Sequence, residues 1–146
     1  MAVKESREVV IEASPEEILA VIADVESAPT WSSQYQSAEV LDTYSDGRPK
    51  QVKMKVKAAG ITDEQTVEYT WGDNTAGWTL VKAGQLKTQN ARYTLTPQGD
   101  KTKVRFDIEV DLSIPLPGFI VKQAIKGAVD TATNGLRKQV LKLKKG

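Results

Sequence analysis

Twenty-nine residues follow Pro117 without another proline, and apolar or small residues recur among them at the three-and-four spacing of a helix face. Val121, Ile125, Ala128, Ala132, Leu136, Gln139 and Leu143 fall on one side, with Lys122, Lys126, Asp130, Thr133, Arg137 and Lys144 on the other. Pro115 and Pro117 close the preceding strand, because neither can donate to a sheet ladder. Pro117 also suits a first helical position, where its missing N–H costs nothing. At about 1.5 Å per residue the helix is roughly 40 Å long, about the span of a small domain. A chain carrying one element of that length must arrange its other elements around it.

The middle of this helix is made of small residues: Ala124, Gly127, Ala128, Thr131, Ala132 and Gly135. Each glycine costs about 1 kcal/mol against alanine inside a helix, so propensity did not select them. Small residues let a helix lie close on a sheet. They can equally leave room for a ligand between helix and sheet.

The preceding residues read as strands. Residues 3–12 alternate loosely, with Val9 and Ile11 on one face, and predict a first strand. Ser14-Pro15-Glu16-Glu17 is a helix start with a cap, a first-turn proline and a capping-box glutamate. Ile18, Leu19, Val21 and Ile22 make that helix short and amphipathic, and Ser27–Trp31 predicts a second, very short helix or a bent loop. Six more strands follow at roughly 35–44, 50–59, 64–72, 77–83, 88–96 and 102–113, separated by Asp46-Gly47, Gly60, Asp73-Asn74, Ala83-Gly84 and Gln98-Gly99-Asp100. Such short connections predict an antiparallel meander. In the last strand Val104, Phe106, Ile108 and Val110 alternate with Arg105, Asp107 and Glu109, so one face is buried and the other wet.

Aligning the hairpins about their turns brings Leu95 opposite Val104, Tyr93 opposite Phe106 and Ala91 opposite Ile108. The same operation places Trp71 opposite Trp78, Tyr69 opposite Leu80, Val40 opposite Met54 and Ala38 opposite Val56. Lys53, Lys55, Lys57, Glu68, Thr70, Arg92, Thr94, Arg105, Asp107 and Glu109 are left on the outer face.

The chemistry is bounded by what is missing. Among 146 residues there is no cysteine and no histidine, which removes disulfides, thiolate nucleophiles, imidazole bases and the usual zinc sites. Twenty basic and 19 acidic residues give a net charge of +1, no basis for bulk attraction to nucleic acid or an anionic membrane. The charged, alternating start reads as neither signal peptide nor membrane span, which makes cytoplasmic the default location.

Strand, two short helices, six strands and a long helix, with one apolar sheet face to cover, suit a curved sheet wrapped round that helix. The chain resembles the START-like (SRPBCC) superfamily, and within it the polyketide cyclase/dehydrase and lipid-transport-like proteins. Val9-Val10-Ile11 before Ser14-Pro15-Glu16-Glu17, then Asp24-Val25-Glu26, Trp31, Glu39-Val40-Leu41, Asp46-Gly47-Arg48 and Pro115-Leu116-Pro117-Gly118-Phe119 carry the resemblance. It covers nearly the whole chain and implies one α+β helix-grip domain over residues 1–146: a curved seven-stranded antiparallel sheet around a long C-terminal helix, with two short helices after the first strand.

In this fold the space between sheet and helix is commonly a ligand cavity. Tyr69, Trp71, Trp78, Tyr93 and Phe106 supply rings on the inward face, with Met54 and Ile108 beside them and Val121, Ile125, Ala128 and Ala132 on the helix. These are core residues or the walls of an apolar pocket with a few polar tips. Trp31 and Tyr35, in the loop before the second strand, are a lid packing on the core or entrance residues of the kind the resemblance implies. Lys53, Lys55 and Lys57, with the tail Lys138, Lys142, Lys144 and Lys145, read as solvated surface; the alternative is a surface for anionic head groups or RNA. Arg7 shares the parity of Ile11 and so faces the cavity or its solvated end.

The expectation is a protein that binds a small hydrophobic molecule, with lipid, isoprenoid quinone and polyketide-like compounds as candidate classes. The alternatives are a cyclase or dehydratase working without metal and a protein- or RNA-interaction module using the basic surface. No catalytic residue, cofactor or metal is implied. No nucleic-acid partner and no stable membrane insertion are expected, transient membrane contact is compatible with the sequence, and the chain is read as a monomer or weak dimer.

Overall fold

The computed structural model describes residues 2–32, 34–58, 60–84, 86–113 and 115–145. Ala59 and Gly146, which end the predicted third strand and the predicted helix, and the side chain of Lys145 lie outside what is described. Seven strands, β1 (Ala2–Ile11), β2 (Tyr35–Thr43), β3 (Pro49–Ala58), β4 (Ile61–Gly72), β5 (Thr75–Ala83), β6 (Leu86–Gln98) and β7 (Lys101–Leu112), form one antiparallel sheet. Its order is β1-β7-β6-β5-β4-β3-β2: a meander in which β1 returns to pair with the last strand.

Helix α1 (Pro15–Ala23) starts as its sequence dictates. The Ser14 hydroxyl accepts from the Glu17 amide at 3.2 Å, and the Glu17 carboxylate accepts from the Ser14 amide at 3.0 Å. A 3₁₀ helix, Val25–Thr30, follows. The C-terminal helix consists of α2 (Gly118–Asp130), a π-helical turn (Thr131–Gly135) and α3 (Leu136–Lys145).

Alternation in β7 is as expected: Val104, Phe106, Ile108 and Val110 are buried, and Arg105 is exposed. Leu95 faces Val104, Tyr93 faces Phe106 and Ala91 faces Ile108. Two other hairpins differ from their predicted register by two residues. Asn74 takes a positive φ of 59° and closes a tight turn, so Gly72 pairs with Thr75, Tyr69 faces Trp78 and Trp71 faces Ala76. In the β2–β3 pair, Ala38 faces Met54 and Val40 faces Val52, with bulges flanking this stretch. A shift of two keeps every side chain on its face, which is why the burial pattern survives the error.

The helix carries the larger correction. Its buried seam is Val121, Ile125, Val129, Thr133, Leu136 and Val140. Thr133, placed on the outer face by the sequence reading, is fully buried, and its hydroxyl donates to the Val129 carbonyl at 2.8 Å. Leu143, placed on the inner face, is 56% exposed. Thr133 follows Val129 by four residues, on the seam that Val121 and Ile125 begin, so ordinary helical spacing accounts for its burial; Leu143 lies beyond the π turn, where the Leu136 amide bonds back to the Thr131 carbonyl. One extra residue in a turn rotates everything beyond it by about 100°.

Ion pairs fix this helix to the start of the chain. Arg7 meets Asp130 at 2.9 Å and Arg137 meets Glu12 at 2.8 Å. Lys144 lies 3.5 Å from Glu17 and also donates to the Glu12 carbonyl at 3.1 Å. Arg7 is therefore engaged with the helix and does not line the cavity. On the outer sheet face Glu39 stands opposite Lys53, and Lys53 pairs with Glu64 at 3.3 Å, which makes the strand lysines a charge-balanced solvated surface.

Candidate functional site

A cavity of about 180 Å³ lies between the inward sheet face and α2. On the sheet side its wall is aromatic, because alternation in β4, β5, β6 and β7 delivers Tyr69, Trp78, Tyr93 and Phe106 to one face. Neighbouring rings lie 4.8 to 6.1 Å apart and tilted, the separation at which ring edges and faces attract. Ile108 completes this wall. From the helix come Val121, Ile125, Ala128 and Ala132, while Trp31 and Tyr35 close the side between the 3₁₀ helix and β2.

Two of the predicted residues stand elsewhere. Met54 is buried in the core on β3 but does not reach the cavity wall. Trp71 is half-buried at the far side of Tyr69, on which it stacks at 5.5 Å. Its indole N–H donates to the Pro49 carbonyl at 2.8 Å, and the Arg48 guanidinium lies 5.4 Å from its ring centre. The two-residue difference in the β4–β5 register sets this: Trp78 is paired with Tyr69, and Trp71 is displaced towards the turn.

The structure also accounts for the small stripe on the helix, with a division of labour among its residues. A Cβ on Gly127 would come within 3.2 Å of the Gln34 amide nitrogen, and one on Gly135 within 3.8 Å of the Trp31 ring. Gly127 thus makes room for Gln34, which donates to the Ala124 carbonyl at 3.5 Å, whereas at Gly135 a Cβ would meet only ordinary van der Waals contacts. Ala124, Ala128 and Ala132 instead border the cavity.

Several polar side chains in the wall escape the sequence reading: Ser32, Gln34, Asp63, Gln65 and Gln89. The Asp63 carboxylate accepts from the Gly84 amide at 3.0 Å and from the Gln65 side chain at 3.5 Å. Alternation holds the signal for two of these, since Gln65 shares the parity of Val67 and Tyr69, and Gln89 that of Ala91 and Tyr93. Asp63 is hidden because the predicted strand begins at residue 64, whereas β4 begins at Ile61.

Tyr93 donates its hydroxyl to the Ala132 carbonyl at 3.0 Å, joining the sheet wall to the π turn. Burial pushes the Tyr35 phenol up to about 12 from an ordinary 10.0. Tyr69 and Tyr93 are raised as well, first by burial and then by Tyr35 nearby. At neutral pH these phenols are hydrogen-bond donors and not bases. Since the fold favours their neutral form, that contribution is complete below pH 10 and is lost as pH rises through the folded-state values. Urea midpoints are expected to fall between pH 10 and about 12, and Tyr35→Phe is expected to flatten the slope. A midpoint that stays level across this range would contradict the burial of these groups.

The arrangement is a cavity walled by rings, floored by small helical residues and dotted with amides and hydroxyls. A family model described as polyketide cyclase / dehydrase and lipid transport matches residues 2–145. The chain belongs to this family. A START superfamily protein from Mycobacterium smegmatis is similar to this family member at 26% identity, with a TM-score of 0.87, over 96% of this chain and 98% of the other. A protein from Thermus thermophilus is 21% identical with a TM-score of 0.81, over 97% and 99% of the two chains. An aromatase/cyclase from a Streptomyces species shares the fold at 10% identity, with a TM-score of 0.78, over 96% and 94%. A search of curated protein sequences finds no match.

The helix-grip fold is thus the one shared with START proteins. Family and fold point to hydrophobic-ligand binding or cyclase-type activity, without selecting between them. Among the described residues, no helix is long and apolar enough to cross a membrane.

Proposed function

We propose that this family member binds a small hydrophobic molecule in the cavity between its sheet and its C-terminal helix. One observation carries the reading. Among the described residues three buried side-chain polar atoms have no hydrogen-bond partner, Trp31 Nε1, Ser32 Oγ and Gln89 Oε1, and all three belong to residues of the cavity wall. Buried polar groups are nearly always satisfied, and each one left unpaired costs about 1–3 kcal/mol. Three around one cavity suit a site whose missing partner is a ligand.

The size of the space supports the same reading. A cavity of about 150 Å³ lined by apolar side chains holds benzene, and this one is about 180 Å³. A ring compound fits as the walls stand.

Native mass spectrometry of gently purified protein, followed by extraction with organic solvent, tests this. The expected result is a mass adduct that denaturation releases as an apolar compound. Bare protein that also takes up no ring compound on titration would contradict it.

A further inference from the structure

We propose that the ligand of this cavity is uncharged, one or two rings in size, and carries both a hydrogen-bond donor and an acceptor. This rests on the reading of the cavity as a ligand site and adds the ligand's charge and polarity. The first observation is the charge of the wall. Among the described residues that line it, the ionisable acids are Asp24, exposed at the rim, and Asp63, buried within, and there is no lysine or arginine.

The cations that could have served an anion are committed elsewhere. Arg7, on the inward parity of β1, is held by Asp130 at 2.9 Å, and Arg137 by Glu12 at 2.8 Å. The α2 N-terminus is no substitute, since Gly118 and Phe119 are exposed and neither belongs to the wall. A carboxylate or phosphate entering here would lose its hydration and meet no lysine or arginine among the described residues of the wall. Fatty acids are therefore disfavoured, although their chains suit the apolar walls.

The second observation is the type of the unpaired groups. The Trp31 indole N–H can only donate and asks for an acceptor on the ligand, whereas Gln89 Oε1 accepts and asks for a donor. The Ser32 hydroxyl, 3% exposed, can serve either way. A purely apolar molecule would leave all three as they are. A hydroxyl, amide or ketone on a ring would satisfy them.

The test is calorimetric titration at pH 7 with four ligands of one shape: ethylbenzene, 4-ethylphenol, 4-ethylbenzamide and 4-ethylbenzoate. The phenol and the amide are expected to bind at least tenfold more tightly than the benzoate and several-fold more tightly than ethylbenzene. Gln89→Leu is expected to weaken the phenol and the amide several-fold while leaving ethylbenzene unchanged. The benzamide and benzoate match in size and differ in charge, so the parent protein alone decides the matter even if the variant fails to fold. A benzoate bound as tightly as the benzamide overturns this inference and leaves the cavity reading standing. If none of the four binds, both fall.

Discussion

Deleting the chain from Val121 onward is expected to yield a product that aggregates and lacks fixed tertiary structure. The helix contributes Val121, Ile125, Val129, Leu136 and Val140 to the core, each 8% exposed or less. Burial of such a side chain is worth roughly 1.5–3 kcal/mol, so the five together rival the whole stability of a typical domain, about 5–15 kcal/mol. The deletion also uncovers Trp78, Tyr93, Phe106 and Ile108 on the sheet, an apolar patch of the kind that drives association. Size-exclusion chromatography and near-ultraviolet circular dichroism check this. A monomeric truncation with the parent's near-ultraviolet spectrum would remove the helix from its organising role.

Ala128→Phe should have the largest effect on binding with the least effect on folding. Ala128 is half-buried and borders the cavity beside Ile125 and Ala132. In a close-packed core an added ring overpacks and costs about 1–3 kcal/mol. Here it has space to occupy, so the stability measured by urea unfolding should change by less than about 1 kcal/mol, below that overpacking cost, while affinity for 4-ethylphenol drops beyond detection. A strongly destabilised variant would show that Ala128 is packed and that the cavity is not available.

Much of this is legible in the sequence, and the residues that mislead do so for physical reasons. Alternation in β7 and the short turn after Gln98 settle the β6–β7 register, because both faces and the loop length agree. Where the centre of a turn is misjudged by one residue, as in the β2–β3 hairpin, whose Thr43–Pro49 pair is centred on Asp46 and not on Gly47, counting from the turn misplaces partners by two but keeps faces. The π turn is different. Thr131-Ala132-Thr133-Asn134-Gly135 holds nothing that distinguishes an i→i+5 bond from an i→i+4 bond, so a regular period puts Leu143 on the wrong side, whereas Thr133 follows the seam of Val121, Ile125 and Val129 by ordinary spacing.

The candidate site divides in the same way. Its aromatic wall follows from strand parity, and Tyr69, Trp78, Tyr93 and Phe106 can be found by counting in twos. The purpose of Gly127 cannot, because it depends on a loop from the other half of the chain: Gln34 and Ala124 are 90 residues apart. The family resemblance supplies the helix-grip arrangement and the idea of a cavity. That Trp31 Nε1, Ser32 Oγ and Gln89 Oε1 are left unpaired comes from the packed structure.

Diffraction from crystals under xenon pressure tests the cavity most directly, since xenon enters dry apolar space and needs no knowledge of the natural ligand. The parent should show a xenon site bounded by Trp78, Phe106 and Ala128, and Ala128→Phe should show the phenyl ring there instead. No xenon site in the parent, with side chains filling the space between Phe106 and Ala128, would contradict the account.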